Sequence, residues 1–312
     1  MNRRIKNPVF EAAKINTSDS NSFTFSLAKV LIPSNKLPYF YCWYAYFRWV
    51  DDISDSHDVP LKKRLSFIEA QINLVERIYL NFQSLTFNEM GECYLQELIT
   101  FDKNSGEVIK IYIIQMLQCI QFDIKRVGEY STFNQLITFF NKEVLSYLNT
   151  FQFFCSSSKT YLAIKTSPEG IAGKWAHILR DFVNDNNQKI YNLPHEDILK
   201  YDLYPFDNTD FLKDNCFKNW VKDRIEEAEN KFTEGKLQIK NHPSLRFKIL
   251  ITMLCFKYQS YLNVIKTEKY ILRDNYKITN ASIVKTLPSL LLEVSCLSLI
   301  HVISLLKLPG RK

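Results

Sequence analysis

The chain has 312 residues, of which 46% are hydrophobic, so it can bury a large core and does not have the composition of a disordered polymer. Only 7 residues are glycine, which argues against the turn-dense layouts of sandwiches, barrels and βαβ repeats. The formal charge of +7 admits an anionic partner, yet no block of Lys and Arg tracks a phosphate backbone, which argues against nucleic acid.

The first twenty residues are polar and run into Asn16-Thr17-Ser18-Asp19-Ser20-Asn21-Ser22, a segment rich in helix-capping residues. Pro38 then opens a nearly continuous apolar and aromatic run from Tyr39 to Val50, and proline suits the first turn of a helix. Leu61, Leu65, Ile68, Ile72, Val75 and Ile78 recur at helical spacing over residues 61–82. The same periodicity covers 107–126, 132–155, 172–186, 217–240, 244–266 and 281–306, for a total of about eight long helices. Tyr191 to Asp210 is the most irregular stretch, but its aromatic residues are unlike a free linker. Residues 1–312 therefore read as one domain with a polar segment at 1–20.

The run Pro288 to Leu306 barely reaches the length of a membrane span, and Glu293 within it would be costly in lipid. It reads as a buried or interfacial helix. The seven cysteines are scattered, form no CxxC pair and follow no signal peptide. These features suit a reducing cytoplasm, with peripheral membrane association left open.

Chemistry concentrates in two acidic clusters. Asp51 and Asp55 are four residues apart and share a helix face, with Asp52 beside them, and Asp181 and Asp185 repeat the spacing on a second helix. A solvated face would intersperse lysines to relieve such repulsion; here the first cluster follows the greasy Tyr44-Ala45-Tyr46-Phe47-Arg48-Trp49-Val50. Crowded carboxylates call for a cation, and Mg²⁺ suits them because it shares oxygen ligands with substrate phosphates. Such ions neutralise charge on a departing diphosphate, and the allylic cation left behind is stabilised by aromatic faces, about 0.5–2 kcal/mol each. Arg48, one turn upstream, can grip phosphate oxygens or pair with Asp51 or Asp52. Neither a Walker loop at Gly170-Ile171-Ala172-Gly173-Lys174 nor a zinc-hydrolase histidine pair is present.

At these residues the chain resembles the squalene/phytoene synthase family. That family has a Ser-Phe pair, then a Tyr-Ala-Phe-x-Arg-x-x-Asp-Asp-x-x-Asp block. Here Ser22-Phe23 precede Tyr44 to Asp55. The second family signature is matched by Gly170-Ile171-Ala172, Ile178-Leu179-Arg180-Asp181, Asp185 and Tyr191, with Leu193-Pro194 one residue late. The resemblance implies an all-α isoprenoid-synthase bundle around a central cavity, with the two clusters facing each other across several Mg²⁺ ions. It implies catalytic and metal-binding roles for Asp51, Asp55, Asp181 and Asp185, with Asp52 alongside. Ser22, Arg48, Lys174, Arg180, Lys189 and Tyr191 are the expected diphosphate ligands, and Phe23, Tyr44, Phe140 and His177 the expected cavity residues.

Several positions depart from the family pattern. Its Gln and Asn are Lys174 and His177, and its Gly-Arg pair is Gln188-Lys189. A neutral histidine is a poorer Mg²⁺ ligand than a carbonyl oxygen. A helix with a tyrosine and two glycines aligns with Phe140, Ser146 and Asn149, losing the hydroxyl and both glycines. The leading expectation is head-to-head condensation of two farnesyl or geranylgeranyl diphosphates. The alternatives are a terpene synthase acting on a single C15 or C20 diphosphate and a non-catalytic helical scaffold, whose mark would be loss of both clusters. NADPH use and oligomeric state stay open.

Overall fold

A computed structural model describes residues 7–20, 22–56, 58–81, 86–156, 161–203, 209–274, 276 and 294–295. These residues form eleven α-helices and one 3₁₀ turn, with no strand among them. The helices are α1 (Pro8–Ser20), α2 (Ser22–Leu31), α3 (Leu37–Ser54), α4 (Leu61–Tyr79), α5 (Met90–Lys103), α6 (Lys110–Lys125), α7 (Phe133–Cys155), α8 (Pro168–Asn187), α9 (His195–Tyr201), α10 (Asn215–Asn241) and α11 (Leu245–Thr267). The all-α class expected from the scarcity of glycine and the helical periodicity is the one found. The expected helix at 281–306, including the Pro288 to Leu306 run, lies outside the described residues except at 294–295, which are helical. Among the described residues no helix is long and apolar enough to cross a membrane.

One expectation changes at the N-terminus. Asn16 to Ser20 of the stretch rich in capping residues lie within helix α1, whose own cap comes earlier, where the Asn7 side chain accepts from the Val9 N–H at 3.0 Å, and Ser22 of that stretch opens α2. Pro8 starts α1. Thr17, fully buried, returns its hydroxyl to the Ala13 carbonyl at 2.8 Å, which satisfies it within the helix.

The chain divides into two compact units, 1–125 with 146–163, and 126–145 with 164–312; α7 gives residues to both. The first unit is built around α3, whose Phe40, Trp43 and Tyr46 are almost wholly buried. Phe40 meets Phe154 edge-on at 5.5 Å, and Trp43 meets Phe151 at 5.3 Å and Tyr147 at 5.7 Å. Burying each such ring contributes about 1.5–3 kcal/mol, so the aromatic run is first of all core. The Lys36 ammonium closes the C-terminus of α7, donating to the Phe153 and Ser156 carbonyls, the latter at 2.8 Å.

In the second unit α8 packs against α10 and α11. Gly173 permits the α11 contact: a Cβ there would lie 3.1 Å from the Tyr258 ring. Arg224 is held between the rings of Trp175, 5.3 Å away, and Phe133, 5.6 Å away. Near the start of α11, His242 Nδ1 accepts from the Ser244 N–H at 3.1 Å, and its ring lies 4.5 Å from Phe247.

Burial pushes the His242 pKa down to about 4, with the Lys248 charge adding to it. Between pH about 4 and about 6.5 the unfolded chain therefore binds the extra proton, so stability rises with pH across that window. The contribution is complete above about pH 6.5 and lost on acidification, at about 2–3 kcal/mol in all. His242→Asn, which keeps an acceptor but does not titrate, is expected to flatten that part of a urea-stability profile. An unchanged slope would contradict this assignment.

Candidate active site

The two acidic clusters belong one to each unit. In α3 most of the helix is buried, while Tyr44, Arg48, Asp51, Asp52 and Asp55 share its less-buried stripe. The repeat of three to four residues places them there, and the aromatic residues occupy the remaining faces. Asp51 and Asp52 fall in the last turn and Asp55 is the C-cap. This end of a helix carries partial negative charge, which disfavours carboxylates. No basic residue sits in that last turn. Arg64 from α4 instead donates to the Ser54 carbonyl at 2.9 Å.

Arg48 Nη2 lies 2.5 Å from Asp52 Oδ1, with both side chains about half exposed. An ion pair this open is worth about 0–1 kcal/mol and exchanges readily for a phosphate oxygen. The carboxyl of Asp55 is shifted upward, first because neighbouring atoms displace water from it and next because Asp123 of α6 lies nearby. Arg48 and Arg64 pull the other way. A carboxylate repelled by another is one that gains from a cation. Asp123 did not stand out in the sequence, because it is a lone acid near the end of an apolar stripe and only folding brings it towards Asp55.

Trp49 connects this end of α3 to its neighbours. Its indole meets Phe67 edge-on at 5.3 Å and lies against Gly91 of α5, where any Cβ would overlap the ring. Gly91→Ala is expected to cost about 1–3 kcal/mol through overpacking and to move Trp49, two residues from Asp51. A urea midpoint equal to that of the unsubstituted protein would refute this.

In the second unit α8 is likewise buried apart from one main stripe, formed by Gly170, Lys174, His177, Asp181 and Asp185. Arg180 Nε donates to Asp181 Oδ1 at 2.6 Å, and its Nη2 donates to Oδ2. His177 Nε2 lies 2.8 Å from Asp181 Oδ2. Burial alone would raise the Asp181 pKa, but the bonds from Arg180 and His177 outweigh it and hold the carboxyl well below the usual range. Packing around the imidazole lowers the His177 pKa despite its bond to Asp181. Because an ionised carboxylate only accepts, the Nε2 that faces Asp181 carries a proton.

Lys174 faces Glu143 of α7 at 2.5 Å, with its ammonium 5.2 Å from the Phe139 ring and 5.7 Å from Phe140. Phe140 is wholly buried and meets Trp175 edge-on at 5.3 Å. Arg180 lies 5.1 Å over the ring of Tyr261, on α11. Burial and the Arg180 charge both lower the pKa of Lys257, also on α11. Glu143, Lys257, Tyr258 and Tyr261 were not singled out in the sequence, since they come from helices without any acidic signature.

Asp185 lies in the last turn of α8, again with no basic residue there. Lys189, exposed, adopts φ +60° just beyond the helix end. Its N–H reaches the Asn186 carbonyl at 3.0 Å and that of Ile190 reaches Asp185 at 2.8 Å, a Schellman closure in which lysine occupies the position glycine usually takes. Tyr191 stacks on Tyr130 with ring centres 4.4 Å apart. Ser22 and Phe23 open α2, and their side chains lie outside the described part of the structure.

The donor chemistry fits Mg²⁺. Among the described residues no three of His, Cys, Asp or Glu gather into a ready-made metal cage. Each cluster instead offers carboxylates in pairs along a helix, which suits an ion that keeps its waters and takes further oxygens from substrate phosphates.

An all-helical chain with two acidic helix ends of this kind has the make-up of an isoprenoid synthase. The profile of the squalene/phytoene synthase family matches residues 19–282, and the chain belongs to that family. Its members are prenyltransferases that act on prenyl diphosphates, generally with a divalent metal. Among solved structures the chain is similar to squalene synthase HpnC from Alicyclobacillus acidocaldarius, with 17% identity, TM-score 0.66, and coverage of 85% of this chain and 95% of that one. It is also similar to a dehydrosqualene synthase in complex with ligand, with 16% identity, TM-score 0.67, and coverage of 92% and 95%. At these identities the likeness is one of fold. No curated protein matches the chain.

Proposed function

We propose that this chain, acting as one isoprenoid-synthase domain, removes diphosphate from two prenyl diphosphates with the help of Mg²⁺ and joins them head to head into a squalene- or phytoene-like hydrocarbon. One observation carries the reading. Two otherwise buried helices each keep a stripe that ends in acidic residues at the helix C-terminus, where the dipole disfavours them and, in the first cluster, Asp123 and Asp52 repel Asp55. That arrangement costs stability and makes physical sense if a cation binds there.

In this reading Asp51, Asp55, Asp181 and Asp185 hold the metal, which when bound neutralises charge on the departing diphosphate. Arg48 exchanges its open pairing with Asp52 for phosphate oxygens. Arg180 keeps Asp181 ionised and oriented. Lys174, Lys189, Tyr191 and Ser22 supply further contacts to the diphosphate, and Tyr44 belongs to the wall that shields the cation from water.

A second reading, a terpene synthase acting on one C15 or C20 diphosphate, is favoured by a specific observation. Phe140 is packed against Trp175 with no hydroxyl to relay a proton. In the first unit Ser146 and Asn149 fill buried space where the resembling motif has glycine. Purified protein incubated with Mg²⁺ and C10 to C20 prenyl diphosphates, with products identified by gas chromatography, separates the two. A coupled C30 or C40 hydrocarbon supports condensation, and a single-substrate C15 or C20 product supports the second reading. Absence of diphosphate release with every substrate overturns both.

A further inference from the structure

Asp185 is not oriented by α8 alone. Asn192, 5% exposed, lies beyond the helix end, and its Nδ2 donates to Asp185 Oδ2 at 2.8 Å. The same amide accepts through Oδ1 from Arg126 Nη2 at 2.7 Å, while Arg126 Nη1 donates to the Tyr191 carbonyl at 2.8 Å. A guanidinium can only donate and an ionised carboxylate can only accept, so the two neighbours together fix which way the amide points. Arg126 is itself 6% exposed, and its guanidinium lies 5.7 Å from the Phe139 ring. A buried charge on the carbonyl side of an amide polarises it and strengthens what its N–H₂ donates.

The two segments that carry this relay are tied along their backbones. The Gly128 N–H donates to the Lys189 carbonyl at 2.8 Å, and the His195 N–H donates to Ser131 at 3.0 Å. Asn192 is also the residue by which Leu193-Pro194 fall one place late against the family tail, so the relay is built on a departure of this chain.

Building on the metal-dependent reading above, we infer that Asn192, held by Arg126, is a positioning residue that aims the Asp185 carboxylate at its cation. A helix end is where side chains fray and where the dipole repels an anion. Donation from a fixed amide offsets both effects while leaving oxygen lone pairs for the metal.

Mn²⁺ titration of the full chain, followed by electron paramagnetic resonance, tests this without any turnover. The Asp185-dependent site is defined as the binding lost in Asp185→Ala. Asn192→Leu, similar in volume but unable to donate, is expected to weaken that site about 10–100-fold, as loss of a partner to a metal ligand does. Added to Asp185→Ala, it is expected to change nothing further. Arg126→Lys keeps the charge but not the fork, and is expected to weaken the same site severalfold. It provides the answer if Asn192→Leu does not fold. Native Mn²⁺ affinity in the folded variants overturns the inference, and so does equal weakening with or without Asp185. If Asp185→Ala itself leaves Mn²⁺ binding untouched, the metal reading of this cluster falls, and the inference with it.

Discussion

Asp181→Ala is expected to lower kcat for diphosphate release by about 10³-fold or more. The basis is that a carboxylate placing a metal at a leaving group stabilises several kcal/mol of transition-state charge, and about 1.4 kcal/mol is tenfold in rate. Asp181 is held firmly ionised, since two Arg180 nitrogens and His177 all donate to it. Its removal also leaves Arg180 and His177 without their anion, so a control for folding is required. Asp181→Asn keeps the size and one acceptor oxygen but not the charge. The two variants should share the rate loss while differing in stability. Treatment with a chelator should abolish product formation in the unsubstituted enzyme, and added Mg²⁺ should restore it. A folded Asp181→Ala protein with native kcat at saturating Mg²⁺ would remove Asp181 from the chemistry.

Asp102→Ala is expected to destabilise the protein by about 3 kcal/mol or more, because it strands buried donors. The carboxyl of Asp102 is fully buried at the end of α5. Tyr79 Oη donates to Oδ2 at 2.6 Å, and the Ile109 N–H donates to both oxygens, at 3.1 and 3.2 Å. One side chain thereby joins the ends of α4 and α5 to the start of α6, across a loop that turns through positive φ at Gly106 and Glu107. Burial raises the pKa of Asp102, and the Tyr79 and backbone bonds restrain the rise. Asp102→Asn, which retains a carbonyl acceptor, should lose clearly less than Asp102→Ala. Urea denaturation followed by circular dichroism measures both, and a midpoint for Asp102→Ala within about 1 kcal/mol of native would refute the assignment. Because α6 carries Asp123, partial loosening should also shift the environment of Asp55.

Comparison of individual elements shows why some features could be read in the chain and others could not. The helix expected over 132–155 is Phe133–Cys155, and that over 217–240 is Asn215–Asn241, because long amphipathic periodicity is a local property. The capping-rich segment does span the junction of α1 and α2, but Asn16 to Ser20 are helical, because Asn7 caps α1 first and packing of α1 on α3 overrides the weak propensities of Asn, Ser and Asp. The aspartate spacing was legible since i, i+4 residues share a face in any helix. That each cluster ends its helix was not, since it depends on where the caps fall.

The sequence by itself therefore determined the all-α class, the two acidic clusters and the family resemblance carried by them, all of which rest on residue type and short spacing. Arg48 beside Asp52, and Arg180 and His177 beside Asp181, follow from spacing along one helix, whereas the partners that come from other segments were decided in three dimensions. Glu143 meets Lys174 and Asp123 approaches Asp55 from other helices, and Arg126 reaches Asn192 across 66 positions of chain. Hydrogen bonds and charge pairs act over a few ångströms in space, and a linear order of residues does not encode which distant groups will be brought that close. In the folded chain the acidic clusters are carboxylates near helix C-termini, with Arg48 on Asp52, Arg180 and His177 on Asp181, and Asn192 on Asp185.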